Sequence, residues 1–343
     1  MKILVTACHV PYEQGGAEQM IQNLMQALNQ VGHQAELIRF PFKFMPVDYI
    51  KQQMDYLKDL DFSQFTHHQP DRVISLQFPG YGVAHPQHIV WLIHQHRAVY
   101  ELFDDTKAEA SLKDLRLAIH QYDTDTLSKA KKRFSISKRV SQRLKEYNGL
   151  EATPLYQPPP DADNLYCAAD YGYIFCPSRI EPLKRQSLLI EAAKHTQTDV
   201  KFIIAGTGTA FDQCQEQVNQ LGLQDKVIMM GRFSDHEKPT LYARALGVFF
   251  GPFDEDYGYV TLEAQLSSKP VITCEDSGGP LEFVENEHNG FICPADPKAL
   301  AEKFDWLYNH RTQAAIMGEQ GKKDYLKRNI SWRNVVETLL REE

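Results

Sequence analysis

Short apolar runs alternate with segments of helical periodicity along the first half of the chain. Residues 1–7 form a continuous apolar run, as in a parallel strand that is buried on both faces. In residues 17–31 the apolar positions are spaced by three and one, which predicts a helix that Gly32 ends. Further strands are predicted at residues 35–40, 72–76, 89–93 and 134–137. This alternation predicts a doubly wound parallel sheet.

The alternation stops at residues 154–161, where four prolines exclude a helix or a central strand. It then resumes, with strands predicted at 173–176, 200–205, 227–230, 248–250 and 271–274 and helices at 186–195, 211–221, 237–245 and 259–266. From about Pro297 the pattern is almost all helical, and Ser331 precedes a last amphipathic segment. The chain is therefore predicted to hold two α/β domains on either side of a proline-rich linker.

Composition and charge narrow the class of protein. The chain has 343 residues, of which 43% are hydrophobic and 24% charged, which excludes a disordered, collagen-like or coiled-coil chain. A net charge of −8 argues against a general nucleic-acid binder. No apolar run approaches the ~20 residues of a membrane helix, and the start lacks the apolar core of a signal peptide. We therefore expect a cytoplasmic protein with reduced, buried cysteines.

One basic stretch stands out against the acidic average. Residues 129–145 contain eight lysines and arginines. A solvated helix face would explain them. The alternative is peripheral attraction to an anionic surface at the inner face of the membrane, or to a lipid diphosphate.

Candidate chemistry is expected in loops that follow strands, because ligands of parallel sheets bind beyond the carboxyl ends of the strands. After the first strand, Gly15 and Gly16 open a helix whose N-terminus suits an anion, although a plain turn is equally compatible. After the strand at 173–176, Arg179 and Lys184 could converge on a diphosphate, or remain solvated surface cations. Gly206 follows the strand at 200–205, where a tight turn alone would account for it.

The loop after the strand at 248–250 is the most informative. Glu255 lies in it, Gly258 permits close approach of the backbone, and a helix begins near Tyr259 with Glu263 one turn further on. The helix start suits a phosphate, and carboxylates beside it suit sugar and ribose hydroxyls. His94 ends the strand at 89–93, where a structural histidine is the alternative to a catalytic one.

Other signatures discriminate less. Asp-x-Asp, a metal signature in some sugar transferases, occurs four times, so its presence decides nothing. No Gly-x-Ser-x-Gly elbow and no Walker loop is present, which weakens hydrolase and kinase interpretations. No Cys/His spacing predicts a zinc site.

Taken in order, these motifs resemble glycosyltransferase family 4 over nearly the whole chain. They are Gly15-Gly16-Ala17-Glu18, His94, Ser137 before a helix, Ser178-Arg179 with Lys184, Gly206-x-Gly208, Gly231-Arg232, Glu255-x7-Glu263, Lys269-Pro270 and Ser277-Gly278-Gly279. The resemblance implies an α/β chain of the GT-B fold, with two Rossmann-like doubly wound parallel-sheet domains facing a central cleft. The acceptor domain would be residues 1–157, joined by the last helix, residues 331–343, and the donor domain residues 158–330.

The resemblance also implies an activity: retaining transfer of a hexose from a UDP- or GDP-linked sugar to a hydroxyl acceptor, without a metal or cofactor, in surface polysaccharide or glycoconjugate synthesis. Catalytic roles would fall to Arg179, Lys184, Glu255 and His94. Donor-binding roles would fall to Gly15, Gly16, Gly206, Gly231, Arg232, Phe233, Asp256, Gly258, Tyr259, Val260 and Glu263. The acceptor would be a glycan, a lipid-linked compound or a small molecule.

Two departures from the family pattern bear on the donor site. Asp256 stands where the family has a glycine, which adds a negative charge, and Arg185 stands where a glycine usually follows the lysine. Two other functions remain open at this point: a nucleotide-sugar epimerase on the same fold, and a catalytically silent nucleotide-sugar-binding protein.

Overall fold

Two units make up the chain in the computed structural model, which describes residues 1–12, 15–63, 65 and 67–342. Unit 1 comprises Met1–Pro160 and Ser331–Glu343, and unit 2 comprises Asp161–Ile330. The junction after Pro160 falls within the proline-rich segment from which the domain division was predicted.

A parallel sheet is the centre of unit 1. In the described residues its strand order is β2-β1-β3-β4-β5-β6, and every paired strand runs parallel to its neighbour. The strands are β1 (Lys2–His9), β2 (Gln34–Pro41), β3 (Arg72–Ser75), β4 (His88–Leu92), β5 (Lys132–Ser135) and β6 (Thr153–Pro154). The α-helices described in its first segment are α1 (Gly16–Gln30), α2 (Val47–Lys58), α3 (Ala110–Leu127) and α4 (Lys138–Asn148).

The sheet of unit 2 has the order β12-β11-β10-β7-β8-β9, again parallel throughout its described pairs. Its strands are β7 (Tyr173–Pro177), β8 (Lys201–Ala205), β9 (Val227–Gly231), β10 (Gly247–Phe249), β11 (Val271–Cys274) and β12 (Gly290–Cys293). Its helices are α5 (Gln186–His195), α6 (Phe211–Gln220), α7 (Lys238–Ala243), α8 (Tyr259–Leu266), α9 (Pro297–Asn309) and α10 (Arg311–Lys327). With the first strand of the unit at the centre, this order is that of a doubly wound nucleotide-binding sheet.

A last helix, α11 (Trp332–Leu340), returns to unit 1. Ser331 caps it by accepting a hydrogen bond from the amide of Asn334. Its apolar face packs on α1, and the Arg72 guanidinium donates to the Leu340 carbonyl over 2.8 Å. Unit 1 is therefore built from two separate parts of the sequence.

Two predicted elements differ from the structure at the far edge of unit 1. The strand predicted at 134–137 ends at Ser135, because Ser137 accepts a hydrogen bond from the Val140 amide and caps α4. Pro154, assigned to the linker, instead ends the two-residue strand β6. An edge strand tolerates proline, since one side of its backbone pairs with nothing.

Asp123 and His88 are ionisable side chains buried in unit 1. Asp123 is fully buried and accepts hydrogen bonds from the hydroxyls of Tyr81 (2.6 Å) and Tyr100 (2.7 Å). Burial raises the pKa of Asp123 to about 6, although these hydrogen bonds act in the opposite direction. His88, 2.8 Å from the Ser75 hydroxyl, has its pKa lowered by burial to about 4. In both side chains burial thus favours the neutral form over the charged one.

The expectation of buried cysteines holds at every position except Cys167. All six are free, and five are buried, with Cys167 exposed. Burial raises the pKa of Cys176 to about 12, which keeps that thiol protonated and unreactive.

Candidate active site

The order of strands in unit 2 reverses between β7 and β10, which are neighbours in the sheet. Chain connections leave such a pair in opposite directions, so the loops that follow them open a crevice at their carboxyl ends. The loop after β7 carries Arg179 and Lys184, and the loop after β10 carries Glu255. These predicted site residues therefore flank the topological switch point.

Lys184 and Glu255 are brought into direct contact there. Lys184 ends a 3-10 turn, Pro182–Lys184, and its Nζ donates a hydrogen bond to Glu255 Oε2. Both side chains are mostly buried, with 18% and 19% exposed, and the ammonium lies 5.5 Å from the centre of the Phe250 ring. A cation and a carboxylate from distant parts of the sequence are thus in direct contact. Arg179 lies on the same loop and is exposed.

Backbone hydrogen bonds hold the surrounding loops together. The Phe253 amide donates to the Leu183 carbonyl over 2.8 Å. The Glu255 amide donates to the Ser277 carbonyl over 3.0 Å, and the Glu255 carbonyl accepts from the Gly279 amide over 2.8 Å. The loops after β7, β10 and β11 therefore form one framework around the Lys184–Glu255 pair.

Helix α8 begins beside this pair, and Gly258 makes its start possible. Gly258 has φ +88°, and a Cβ there would lie 2.8 Å from Phe250 Cε1 and 3.2 Å from Pro280 Cγ. The amides of a first helical turn have no acceptor within the helix, so they attract an anion. Tyr259 and Val260, predicted to bind phosphate, occupy this turn, and Asp256 lies half-buried in the preceding loop.

Glu263 lies one turn into α8 and is buried. Its carboxylate accepts from Lys238 Nζ over 2.9 Å and from the Tyr242 hydroxyl over 2.5 Å. Burial alone would lower the pKa of Lys238, but the neighbouring carboxylate outweighs burial and raises it. Lys238 is therefore a charged partner of Glu263. Sequence reasoning identified Glu263 but missed both partners, which lie on another helix, α7.

Close packing explains Gly206 and Gly208 in the loop after β8. A Cβ on Gly206 would lie 1.9 Å from the Ser178 carbonyl oxygen, and one on Gly208 would lie 2.2 Å from the Ile180 carbonyl oxygen. These glycines let the loop after β8 pack on the loop that carries Arg179. The Gly206 amide also donates to the Gly231 carbonyl over 2.7 Å. Contact of Gly206 with a donor stays a prediction.

Gly231 and its neighbours end β9. Gly231 has φ +73°, with open space where a Cβ would be, and it lies at an irregularity in the pairing of β8 and β9. Arg232 is exposed, and Phe233 is half-buried with its ring 6.2 Å from that of Phe175. An aromatic ring and a cation thus lie in the loop that was predicted to bind the donor.

The predicted residues of unit 1 lie in two different loops. Gly15 lines a cavity of about 340 Å³ with His9, Tyr12, Glu18 and Arg39, among other side chains. An ion pair of 2.6 Å joins Arg39 to Glu18 on its wall. Gly16 is the first residue of α1.

His94 follows β4 and is half-buried. Its Nδ1 lies 2.7 Å from the carbonyl oxygen of Gln95. When Nδ1 donates a hydrogen bond to that oxygen, the neutral ring carries no proton on Nε2, which can then accept a hydrogen bond. The side chain of Gln95 is held in turn by Asp123, over 3.3 Å.

The basic stretch at 129–145 is not a single helix face. It includes strand β5 and helix α4, and unit 1 holds several of its cations. Lys132 Nζ donates to the Arg341 carbonyl over 2.7 Å, and Arg143 is buried 3.2 Å from Glu101. The predicted membrane contact stays a prediction. No helix in the described ranges is long and apolar enough to cross a membrane.

The described part of the chain has no built metal centre. No group of three His, Cys, Asp or Glu side chains among those residues is arranged to hold a metal ion. Independence from metal stays a prediction about the reaction.

Comparison with known proteins places this site in a family. Glycosyl transferases group 1 match residues 167–324, which lie within unit 2. Mouse alpha-1,3/1,6-mannosyltransferase ALG2 is 32% identical over 112 residues, which are 33% of this chain and 27% of the mannosyltransferase. The chain thus spans about a quarter of the length of that curated relative. An uncharacterized glycosyltransferase of Methanocaldococcus jannaschii is 24% identical over 98% of this chain and 96% of its own length.

Solved structures extend the similarity to both units. HepE of Anabaena, crystallised with UDP and glucose, has a TM-score of 0.71 and 19% identity, with 99% of each chain covered. At that identity the similarity shows the fold, and it confirms the predicted GT-B fold class. Residues 167–324, which carry the candidate site, are thus similar to the glycosyl transferases of group 1, and the whole chain has the GT-B fold.

Proposed function

We propose that this chain is a retaining hexosyltransferase that moves a sugar from a UDP- or GDP-linked donor to a hydroxyl acceptor without a metal ion. One observation carries the proposal: Lys184 and Glu255 meet at the switch point of unit 2, beside the start of α8. A cation, a carboxylate and a helix N-terminus suit a sugar joined to a diphosphate, because the carboxylate recognises hydroxyls and the other two groups recognise phosphates. The family match supports the same reaction class.

The leaving group is the first task of the site. Negative charge develops on the diphosphate as the bond to the sugar breaks, and fixed cations stabilise it. Lys184 would turn from Glu255 towards the diphosphate, and the exposed Arg179 would be the second cation. The first amides of α8 would bind a phosphate oxygen.

The second task is to hold the two sugars of the donor. Glu255 would accept hydrogen bonds from hydroxyls of the hexose. Glu263 would hold the ribose, because each carboxylate oxygen keeps a free lone pair after bonding Lys238 or Tyr242. Asp256 adds a negative charge near the hexose, which favours a neutral sugar over an acidic one.

The bond changes follow from this arrangement. The bond between the anomeric carbon and the diphosphate oxygen breaks first, which leaves an oxocarbenium-like sugar. The acceptor oxygen then bonds to the anomeric carbon on the same face, and its proton passes to the departing diphosphate. No enzymic nucleophile is required, so neither Glu255 nor His94 need form a covalent bond to the sugar.

The acceptor would be a glycan, a lipid-linked compound or a small molecule in surface polysaccharide or glycoconjugate synthesis. The relative from mouse is named as a mannosyltransferase, which supports a hexose as the group transferred.

Thermal unfolding with UDP-, GDP- and ADP-sugars tests the donor class. A donor present at 100 times its Kd adds about 2.7 kcal/mol to the free energy of unfolding. The donor that stabilises the protein is then incubated alone, and the released sugar is followed by NMR. Release of the same anomer that the donor carried supports retention. Inversion would overturn the retaining mechanism, conversion of the donor into an isomer would indicate an epimerase, and stabilisation by no nucleotide sugar would overturn the proposal.

A further inference from the structure

Arg185, the residue after Lys184, has an unusual backbone. It has φ +57° and ψ +37°, in the left-handed region, where it joins the 3-10 turn to α5. Side chains with a Cβ rarely adopt this conformation because Cβ crowds the following carbonyl. A residue that costs conformational free energy in this position needs a compensating interaction.

That interaction is a two-pronged ion pair. Arg185 Nη1 and Nη2 donate to Asp276 Oδ1 and Oδ2 over 2.7 and 2.6 Å. The guanidinium also lies 5.2 Å from the centre of the Phe253 ring. The hydrogen bonds with Arg185 lower the pKa of Asp276, and those same bonds raise the pKa of Arg185. The geometry is that of a bidentate arginine–carboxylate contact, which fixes orientation as well as distance.

The ion pair connects the same loops that hold the candidate catalytic pair. Arg185 is bonded covalently to Lys184. The Asp276 carbonyl accepts from the amide of Asp254, the residue before Glu255, over 2.9 Å. Phe253, under the guanidinium, donates its amide to Leu183. Each end of the ion pair is therefore linked, through one or two residues, to one member of the catalytic pair.

We propose that Arg185 and Asp276 form a clamp that positions Lys184 and Glu255 against the donor. The clamp rests on the proposed function, since it acts through residues assigned there. Arg185 is a positioning residue in this proposal and not a phosphate ligand, because Asp276 already holds both terminal nitrogens of its guanidinium. Because the clamp holds the two loops in a fixed relative position, no entropy is lost by ordering Lys184 in each catalytic cycle.

A double-mutant cycle tests the clamp. The variants are Arg185→Gln, Asp276→Asn and the pair together, and kcat and KM are measured as release of UDP or GDP from the donor that stabilises the wild-type protein. We expect each single variant to lower kcat about 10-fold with less than a roughly threefold change in KM. The double variant should lose no more than either single one, because each change already breaks the same contact.

A matched pair elsewhere in unit 2 provides the control. Arg311 Nη1 lies 3.0 Å from Asp170 Oδ1, and its guanidinium lies 4.6 Å from the centre of the Tyr308 ring. Arg311→Gln and Asp170→Asn remove the same kind of contact away from the loops of the site. These variants should keep kcat within about twofold of the wild-type value.

The charge-swapped variant Arg185→Asp with Asp276→Arg distinguishes loss of the ion pair from general destabilisation, because only a restored ion pair would recover kcat. Aspartate adopts the left-handed region more readily than arginine, so the swap can restore the ion pair, and we expect it to recover part of kcat. If Arg185→Gln does not fold, Arg185→Lys replaces it, since lysine keeps the charge but loses the two-pronged geometry.

Two results would overturn the clamp. One is wild-type kcat in both single variants. The other is a loss above about 100-fold in the Arg185 variant with none in the Asp276 variant, which would make Arg185 a direct ligand of the donor. A wild-type protein that releases no nucleoside diphosphate from any donor would instead contradict the proposed function.

Discussion

Lys238 Nζ lies 2.9 Å from Glu263 Oε1, and the two side chains are only 12% and 9% exposed. A buried ion pair adds little to stability as a whole, but loss of one partner leaves the other charge without compensation. The pair therefore ties the fold of unit 2 to the carboxylate that we expect to hold the ribose.

The first prediction concerns this pair. Replacement Lys238→Met should lower the free energy of unfolding by roughly 3 kcal/mol, because Glu263 then remains buried without its cation. It should also weaken binding of the donor nucleotide, since the carboxylate is no longer held in place. Urea unfolding and calorimetric titration measure the two effects.

Lys201→Met is the matched control, because Lys201 is an exposed lysine of the same unit that bonds only a backbone carbonyl among its described contacts. Its unfolding free energy should change by less than about 0.5 kcal/mol. Equal free energies of unfolding for Lys238→Met and Lys201→Met would show that the Lys238–Glu263 pair does not stabilise unit 2.

The second prediction concerns the candidate catalytic cations. Lys184→Ala and Arg179→Ala should each lower kcat by about 10²-fold or more, because each removes a charge that stabilises the departing diphosphate. The measurement is the rate at which nucleoside diphosphate is released from the donor.

Lys194 provides the comparison, since its ammonium is exposed and lies 3.6 Å from Glu191 on α5. Lys194→Ala should leave kcat unchanged. Near-wild-type turnover in the Lys184 or Arg179 variant would remove that residue from the mechanism.

The third prediction concerns Gly258. In Gly258→Ala the new Cβ meets Phe250 and Pro280 in a backbone conformation that alanine disfavours. We expect a loss of about 3 kcal/mol in unfolding free energy and weaker binding of the donor phosphate. Chemical denaturation and nucleotide titration test both parts.

Gly222 separates the two causes, because it has φ +67° and no atom lies within 4 Å of the place that a Cβ would take. Gly222→Ala should cost only the backbone strain, about 1 kcal/mol, and leave nucleotide affinity unchanged. If both glycine variants lose the same stability, crowding at the start of α8 is not the cause.

The fourth prediction concerns pH. The pKa of Asp123 is raised to about 6 in the folded protein, so between about pH 4 and 6 the folded state holds a proton that the unfolded state has lost. The contribution of Asp123 to the free energy of unfolding therefore falls as pH rises through this range. The pKa of His88 is lowered to about 4, so the unfolded state binds the extra proton and stability from this group rises over about pH 4 to 6.5. The two effects oppose each other in unit 1.

Each of these two pKa shifts changes the free energy of unfolding by about 3 kcal/mol across the pH range given for its residue. Wild-type protein should therefore show a shallow pH dependence of unfolding between about pH 4 and 6.5. Asp123→Asn should become more stable as pH rises in this window, and His88→Gln less stable, as measured by urea unfolding at several pH values. Parallel curves for all three proteins would contradict the assignment.

Loops next to strands were the part of the site that sequence could predict. Lys184, Glu255 and Gly258 each follow a strand or begin a helix, and local patterns identify such places. The partners of these residues were not predictable in the same way. Asp276 is 91 residues from Arg185, and Lys238 is 25 residues from Glu263, so only the folded sheet brings them together.

Helices α2 and α3 of unit 1 were not predicted from the sequence, for a physical reason. In α3 the buried positions include Asp123 and Thr126, whose polar side chains interrupt the apolar stripe that predicts a helix. Helix α2 similarly buries Gln53, whose Nε2 bonds the carbonyl of Pro41. Hydrophobic patterns report burial only where the buried residue is apolar.

Helix α11 has a consequence for how the protein is made. A ribosome delivers every residue of unit 2 before it delivers Trp332–Leu340, which completes the packing of α1 in unit 1. Until then α1 lacks its contact with α11 during synthesis. Unit 2, the second to appear along the chain, is therefore the first that can finish folding at the ribosome, and unit 1 is completed only after α11 has emerged.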